Sequence, residues 1–275
     1  MKLGEVNTLK IDRKTQVGLF LTDGKTDVLL PNKYVPKQFE IGDEIPVFIY
    51  LDHEERPVAT TLKPYINLNE FAWLQVSYIN QFGAFVNWGL EKDLFVPFRE
   101  QARKMEEGKR YMVYLFIDEK TNRLVGSSRI DRFLDNENLT VTEGEEVNLL
   151  VSHITDLGIN VIINNQHKGL IFLNDVYENI SPGKKLTGYI KTIRPDGKID
   201  VSLQKSGTEA IEDQAQLVLN ELKANKGFLG LTDNSHPEEI KSVLKMSKKA
   251  FKKAVGNLYK NRLIAIEENG IRLVE

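Results

Sequence analysis

The 275-residue sequence contains no cysteine, two tryptophans and four histidines. The missing cysteine excludes disulfides, thiolate metal centres and a thiol nucleophile, and it fits a reducing compartment. No apolar run approaches the roughly 20 residues of a membrane-spanning helix. The opening Met1-Lys2-Leu3-Gly4-Glu5 lacks a signal-peptide core, so the expectation is a cytoplasmic chain without a membrane partner. Charge of either sign is hardly in excess: 37 Lys and Arg stand against 39 Asp and Glu. The chain as a whole is therefore no polyanion magnet. His53, His153, His167 and His236 are scattered, and none has a carboxylate or a second histidine at ligand spacing. Each is expected to be structural or solvent-facing. There is no Gly-x4-Gly-Lys-Ser/Thr phosphate loop and no nucleophile elbow. These absences leave no catalytic group, metal or cofactor to expect; the chain reads as a binding protein, not an enzyme.

What is present is repetition. Val17-Gly18-Leu19-Phe20-Leu21, Phe82-Gly83-Ala84-Phe85-Val86 and Leu157-Gly158-Ile159-Asn160-Val161 share one pattern, with spacings of a small domain rather than of a solenoid repeat. About ten residues on, each copy has a short apolar strand (Asp27 to Pro31, Asp93 to Pro97, Gly169 to Leu173). A second glycine follows in a polar turn, at Gly42, Gly108 and Gly183. Next come a long strand rich in β-branched and aromatic residues (Ile45 to Leu51, Tyr111 to Ile117, Leu186 to Ile193), a polar turn and a last strand (Pro57 to Leu62, Leu124 to Ser128, Ile199 to Leu203). About five short strands in some 60 residues predict a small closed barrel of the oligonucleotide-binding (OB) kind, because closure removes exposed sheet edges. The expected fold is thus mainly β: three tandem five-stranded OB barrels over 1–63, 64–135 and 136–207, and a fourth domain over 208–275.

In that last segment the period moves from 2 toward 3.6. Ile211, Ala215, Leu217, Val218 and Leu222 predict a helix from about Glu209 to Lys223. Gly227 and Gly230 bracket Phe228-Leu229. A second helix is expected with Ser235 as N-cap and Pro237 in its first turn, and a third from Ser247 with Phe251, Val255, Leu258 and Tyr259 on one face. Leu263 to Glu267 and Ile271 to Val274 read as a hairpin turning at Asn269-Gly270. Three helices and a hairpin are the layout of an α/β winged helix, whose third helix is the one offered to a nucleic-acid groove. Between Lys241 and Arg262 lie eight basic residues and no acidic one. Lys248, Lys249, Lys252 and Lys253 of the third helix are candidates to meet phosphates, or else a solvated helix face.

Within the barrels, Phe82 and Phe85 are candidates for a base-stacking platform. Strict alternation sends residues three apart to opposite faces, so the expectation includes a bulge at Gly83. Arg123 and Arg129, on or beside the closing strand, are candidate phosphate contacts. The first copy offers Phe20, and the third offers Phe172 with Lys168, Lys191 and Lys205. Phe48, Phe95, Phe116 and also Phe20 are expected in cores. Trp73, Trp88, Tyr78 and Tyr114 are candidates for interfaces between units.

The order Phe-Gly-Ala-Phe-Val, Asp-Leu-Phe-Val-Pro, Glu-Gly-Lys and then a strand ending in Ile-Asp resembles the S1-type RNA-binding domain of the ribosomal S1 protein. Asp200-Val201-Ser202-Leu203 resembles its closing strand. Three such units before a winged helix resemble the CvfB (YitL) family of RNA-binding regulators from Gram-positive bacteria. The resemblance implies an RNA face carrying both pattern aromatics, a histidine on the following strand and basic or polar residues by the closing strand. The histidine position falls on Leu30, Val96 and Phe172, so that histidine is lost in all three copies. The implied partner is single-stranded RNA and the implied role is cytoplasmic gene regulation, including virulence regulation. Two other readings stay open: an adaptor docking on ribosome, polymerase or nuclease, and a DNA-binding regulator acting through the lysine-rich helix. Oligomeric state is not legible.

Overall fold

In the computed structural model the chain divides into two compact units, Met1–Leu134 and Asp135–Glu275. Residues 1–173, 176, 179–205 and 208–274 are described, without the side chains of 208–210. The expected boundary after Gly207 lies outside the described residues.

The first unit holds two barrels. Strands β1 (Val6–Lys14), β2 (Gly18–Thr22), β3 (Asp27–Pro31), β4 (Glu44–Leu51) and β5 (Pro57–Thr60) close in the order β1-β2-β3-β5-β4, with β3 parallel to β5. Strands β6 (Phe71–Ile79), β7 (Gly83–Asn87), β8 (Leu94–Pro97), β9 (Arg110–Asp118) and β10 (Arg123–Ser127) repeat that order as an open ladder, β10-β9-β6-β7-β8. Packing brings β8 and β10 together instead: a Cβ at Gly126 would sit 2.9 Å from Val96 and 3.2 Å from Leu94. In the second unit, β11 (Glu146–Thr155), β12 (Gly158–Ile163), β13 (His167–Phe172), β14 (Lys185–Ile193) and β15 (Ile199–Ser202) form another closed barrel.

The repeated first glycine is required by close approach. A Cβ at Gly18, Gly83 or Gly158 would lie 2.1 to 2.4 Å from a carbonyl oxygen of the next strand (Leu30, Val96 or Ile171). The second glycine of each copy, Gly42, Gly108 or Gly183, turns the chain at φ between +77° and +102°, where L side chains are strained.

The two barrels of the first unit share a core. Phe48, Tyr50 and Val58 of one pack in a single apolar cluster with Leu74, Val86 and Trp88 of the other. Trp88 is 3% exposed and meets Phe48 and Tyr50 edge-on, with centroids 5.8 and 6.5 Å away. Its indole N–H donates to the Lys92 carbonyl at 2.6 Å, so burial leaves no donor unpaired. Trp88 thus fulfils the interface expectation. Tyr114 instead packs on Phe71 and Phe133 within the second barrel, and Trp73 is half-buried on β6. Of the four phenylalanines expected in cores, Phe48 is buried, while Phe20, Phe95 and Phe116 are half-buried. Each of the three alternates with inward aliphatic neighbours, which turns its ring outward.

The third barrel uses a histidine structurally. His167 is 1% exposed; its Nδ1–H donates to the Asp135 carbonyl, and Nε2 accepts the Thr140 N–H at 3.2 Å. The ring pins residues 135–140 to the barrel.

The winged helix consists of α1 (Thr208–Ala224), β16 (Phe228–Leu229), α2 (Pro237–Leu244), α3 (Lys248–Lys260), β17 (Ile264–Glu267) and β18 (Gly270–Leu273), with sheet order β16-β18-β17. Val218, Leu222, Ile240, Phe251, Leu258 and Ile271 lie in its core. Helix α2 is capped one residue later than expected. His236 accepts the Glu238 N–H, and Glu239 returns a bond to the His236 N–H. Ser235 instead accepts the Thr232 N–H. Leu217 and Tyr259, expected on buried stripes, are 52% and 58% exposed because each falls beside its helix's inward face. The hairpin turns at Glu268-Asn269, since Glu267 pairs with Gly270. No helix among the described residues is long and apolar enough to cross a membrane.

The carbonyl contact at Gly83 generates a test. Gly83→Ala should destabilise the first unit by about 2 kcal/mol through overpacking, read as a lower urea midpoint at unchanged slope. Gly256→Ala, with nothing near its Cβ and no left-handed backbone, should not lower the midpoint and separates crowding from the loss of glycine alone.

Candidate functional site

The outward face of β6, β7 and β8 is decided by one extra residue. Along β6, Ala72, Leu74 and Val76 point into the core. Strict alternation would send Tyr78 inward as well. A register shift between Val76 and Tyr78 sets Tyr78 opposite Phe85 on the outer face. Phe85 in turn lies opposite Phe95. The rings form a row: Tyr78 and Phe85 stack with centroids 4.4 Å apart and planes 9° from parallel, and Phe95 follows 5.0 Å from Phe85. The bulge expected at Gly83 is therefore in the neighbouring strand, where a residue can be added without disturbing the glycine's close contact.

Phe82 precedes β7 and so escapes its alternation. The Asn80 side-chain oxygen accepts the N–H groups of Phe82 and Gly83 at 2.8 and 3.2 Å. This turn leaves Phe82 62% exposed. Val17 and Leu157, its counterparts, are exposed too. Phe82, Phe85, Phe95, Arg99 and Arg123 all line one concavity of about 560 Å³. Arg129 is not among its walls: its Nε donates to the Arg99 carbonyl at 2.9 Å and so braces the segment carrying Arg99.

Each cation at the concavity has an acidic partner. Arg99 pairs with Asp118, and Arg123 and Lys92 both pair with Glu55, at 3.3 and 3.1 Å. Burial opposes ionisation of Asp118, yet its carboxyl is held below the usual range. Thr121 donates through its N–H and hydroxyl, Lys120 through its N–H, and the Arg99 charge adds to them. The resulting surface is aromatic and electrically balanced, suited to flat, π-rich ligands rather than to anions alone.

The other copies differ at the same places. In the first, Arg13 replaces the tyrosine, and its guanidinium lies 4.3 Å over the Phe20 ring, held by Asp12 and Asp27. Leu29 stands opposite Phe20. In the third the row is His153, Asn160 and Leu170. Phe172 pairs with Gly158, as Pro31 pairs with Gly18 and Pro97 with Gly83. It is therefore one register step from Leu30 and Val96, which are buried, and the equivalence expected among Leu30, Val96 and Phe172 does not hold. Arg194, paired with Asp200, lies 5.8 Å over the Phe172 ring. Lys168 shares the outer row of β13 with Phe172 but lies toward its other end. Lys191 is the extra residue of a bulge in β14, and Lys205 lies 5.9 Å over the Tyr189 ring.

On α3, Lys249, Lys252, Lys253 and Lys260 share the solvent face with Gly256, around which a Cβ would meet nothing. Lys252 pairs with Asp233 at 3.3 Å. Lys248 does not join that face: its Nζ donates to the Ser235 carbonyl at 2.9 Å and ties α3 to the turn before α2. Arg99, Lys92 and Glu55 border the concavity without having been singled out by pattern reading, Phe95 was expected in the core, and Tyr78, expected at an interface, lies on the outer face beside Phe85. For Phe95 a signal existed, since its neighbours Leu94 and Val96 are aliphatic core formers; for Tyr78 it did not, because a one-residue bulge has no composition mark.

Comparison with known proteins agrees with this architecture. Residues 3–62 match the S1 domain family and residues 216–273 the CvfB-like winged helix domain. The Bacillus subtilis protein YitL is 31% identical over 98% of this chain and 93% of its own length. Conserved virulence factor B of Staphylococcus saprophyticus is 27% identical over 86% of this chain and 82% of its own. A crystal structure of a multidomain protein with nucleic acid binding domains from Streptococcus pneumoniae is 24% identical, with 99% and 98% coverage and a TM-score of 0.43.

The depressed acidity of Asp118 makes its contribution to stability pH-dependent with a defined sign. A carboxyl whose folded-state value lies below its unfolded value of roughly 4 stabilises fully above that value and loses the effect as pH falls through the folded value. Wild type should therefore unfold at higher temperature than Asp118→Asn at pH 7, and the gap should close progressively below about pH 4 in parallel melts.

Proposed function

Because the chain belongs to the CvfB (YitL) family, we propose that it binds single-stranded RNA, with the open ring row of the second barrel as the main contact, and that it acts in bacterial gene regulation in the cytoplasm. One observation carries this reading: Tyr78, Phe85 and Phe95 form a row of adjacent rings, and Phe85 and Phe95 share a concavity with the exposed Phe82, Arg99 and Arg123. Bases in a duplex are already stacked on each other, so such a row has value only for bases free to leave a stack. Stacking contributes roughly 1–3 kcal/mol per base, and two or three bases suffice for a useful contact without net positive charge.

The phosphate-binding share falls to Arg99, Arg123 and the α3 lysines Lys249, Lys252 and Lys253, each at the expense of an existing partner where one is present. Phe20 and Phe172, each with an arginine over its ring, and Lys168, Lys191 and Lys205 make secondary contacts along a strand that runs past more than one barrel. Weak sites in series add through effective concentration, so no barrel needs high affinity alone. The chain acts by binding, without chemistry of its own. The adaptor reading draws on a specific observation too, the pairing of every cation around the concavity, which lowers attraction for a polyanion.

Fluorescence anisotropy with a labelled mixed-sequence 12-nucleotide RNA tests the proposal. The Phe82→Ala/Phe85→Ala double variant should bind at least about 10-fold more weakly while still unfolding cooperatively. Duplex DNA of equal length should compete poorly. Wild-type affinity in the double variant rejects the ring row as the contact, and no complex even at low salt favours the adaptor.

A further inference from the structure

Glu55 comes from the first barrel, yet it stands in the wall of the second barrel's concavity. Its turn is braced: the Asp52 N–H donates to the Arg56 carbonyl at 2.9 Å, and the Asp52 carboxylate accepts the N–H groups of Glu54 and Arg56 at 2.8 and 3.0 Å. Glu55 itself sits at φ +62°, a conformation glutamate rarely adopts. The side chain so presented reaches across, with Oε1 3.1 Å from Lys92 Nζ and Oε2 3.3 Å from Arg123 Nε.

The two cations are not equally committed. Lys92 is tied into the inter-barrel contact: its ammonium also donates to the Asp52 carbonyl at 2.7 Å, and its own carbonyl accepts the Trp88 indole N–H. Arg123 is 55% exposed. A guanidinium has five N–H donors in a planar fork, the geometry that suits a phosphate. Glu55, Leu51, Thr121 and Arg123 border two concavities at once, the aromatic one and a neighbour of about 730 Å³ that continues past Leu3, Ile49 and Pro57 of the first barrel. The Glu55–Arg123 pair stands where the two meet.

We propose that Glu55 is a resident anion in a phosphate position: a strand stacked on the second barrel's rings places its next phosphate on Arg123, displaces the Glu55 carboxylate and continues into the first barrel's concavity. The carboxylate lowers affinity for any polyanion, so that only a strand already held by stacking gains Arg123. This rests on the RNA-binding reading above, which it refines by making the site one of two barrels rather than one.

Anisotropy titrations across a salt series, with the same labelled 12-nucleotide RNA and the full chain, test it. Glu55→Gln keeps shape and removes charge; Glu55→Gly removes the side chain at a backbone position glycine favours, so it folds even if the glutamine variant does not. Both should bind about three-fold or more tightly at low salt, with the gain shrinking as salt rises, because Arg123 no longer has to exchange a carboxylate for the phosphate. Glu54→Gln, whose partner is Arg56, should behave as wild type. In an Arg123→Gln background the gain from Glu55→Gln should vanish. Unchanged or weaker binding in both Glu55 variants, with the Phe82→Ala/Phe85→Ala variant still impaired, overturns the role of Glu55 and leaves the ring row standing. No binding by wild type or by either Glu55 variant overturns both.

Discussion

A β-strand counts in twos, and each barrel of this chain breaks the count in its opening strand. The shifts fall between Ile11 and Arg13, between Val76 and Tyr78, and between Val151 and His153. Before each break the inward residues are aliphatic; after it the strand has exchanged faces, and Arg13, Tyr78 or His153 stands outside. Without the extra residue those three side chains would be driven into the core, at the cost of burying a charge, a hydroxyl or an imidazole. Two residues along the partner strand from each break stands a glycine whose bare Cα lets a carbonyl of the strand beyond approach closely. The same outer face is therefore presented in all three barrels, and only its side chains differ.

That chemistry is shaped by a balance between rings and charges. A stacked row of three aromatic side chains attracts flat ligands without regard to sequence, while a row of free cations would attract any polyanion. The second barrel keeps the rings open and pairs the cations: Arg99 with Asp118, Arg123 and Lys92 with Glu55. Asp118 is buried and the Lys92–Glu55 pair is half-buried, so these pairs bear on folding as well as on the charge that the face presents. The first barrel reaches the opposite outcome with the same scaffold, because Arg13 covers Phe20 and is itself neutralised by Asp12 and Asp27.

Much of the fold was legible because its punctuation is glycine and its strands are β-branched and aromatic. Three OB-type barrels and a winged helix follow from the repeated pattern and the change of period near residue 208, and the turns at Gly42, Gly108 and Gly183 fall where composition puts them. The opening strands β1, β6 and β11 precede the repeated pattern and were not delimited by it, although Gly4 and Gly144 stand two residues before two of them. In the site, Phe82 and Phe85 stand out by their spacing, but Tyr78 joins Phe85 only through the register shift between Val76 and Tyr78 on another strand, and Glu55 arrives from another barrel. A bulge and an inter-barrel contact are both tertiary facts with no local signature. The shifted cap at His236 has a local reason. Ser235 is the better cap by type, but its hydroxyl already serves the Thr232 N–H, which leaves the next residue to close the helix.

The sharing of Trp88 between two barrels bears on how the second barrel carries an exposed row of rings. Barrels of some 60 residues bury too small a fraction of their surface to be robust alone. In the first unit the two barrels contribute to one apolar cluster around Trp88, and this joint core stabilises both. A second barrel so supported tolerates an outer face that is largely aromatic and contributes nothing to its own interior. The cost of leaving Phe82 and Tyr78 in water is met by the neighbour's packing rather than by their own. The same joint core carries the Asp52–Arg56 turn to the edge of the ring row, so the contact that stabilises the pair of barrels is also what brings Glu55 to Arg123.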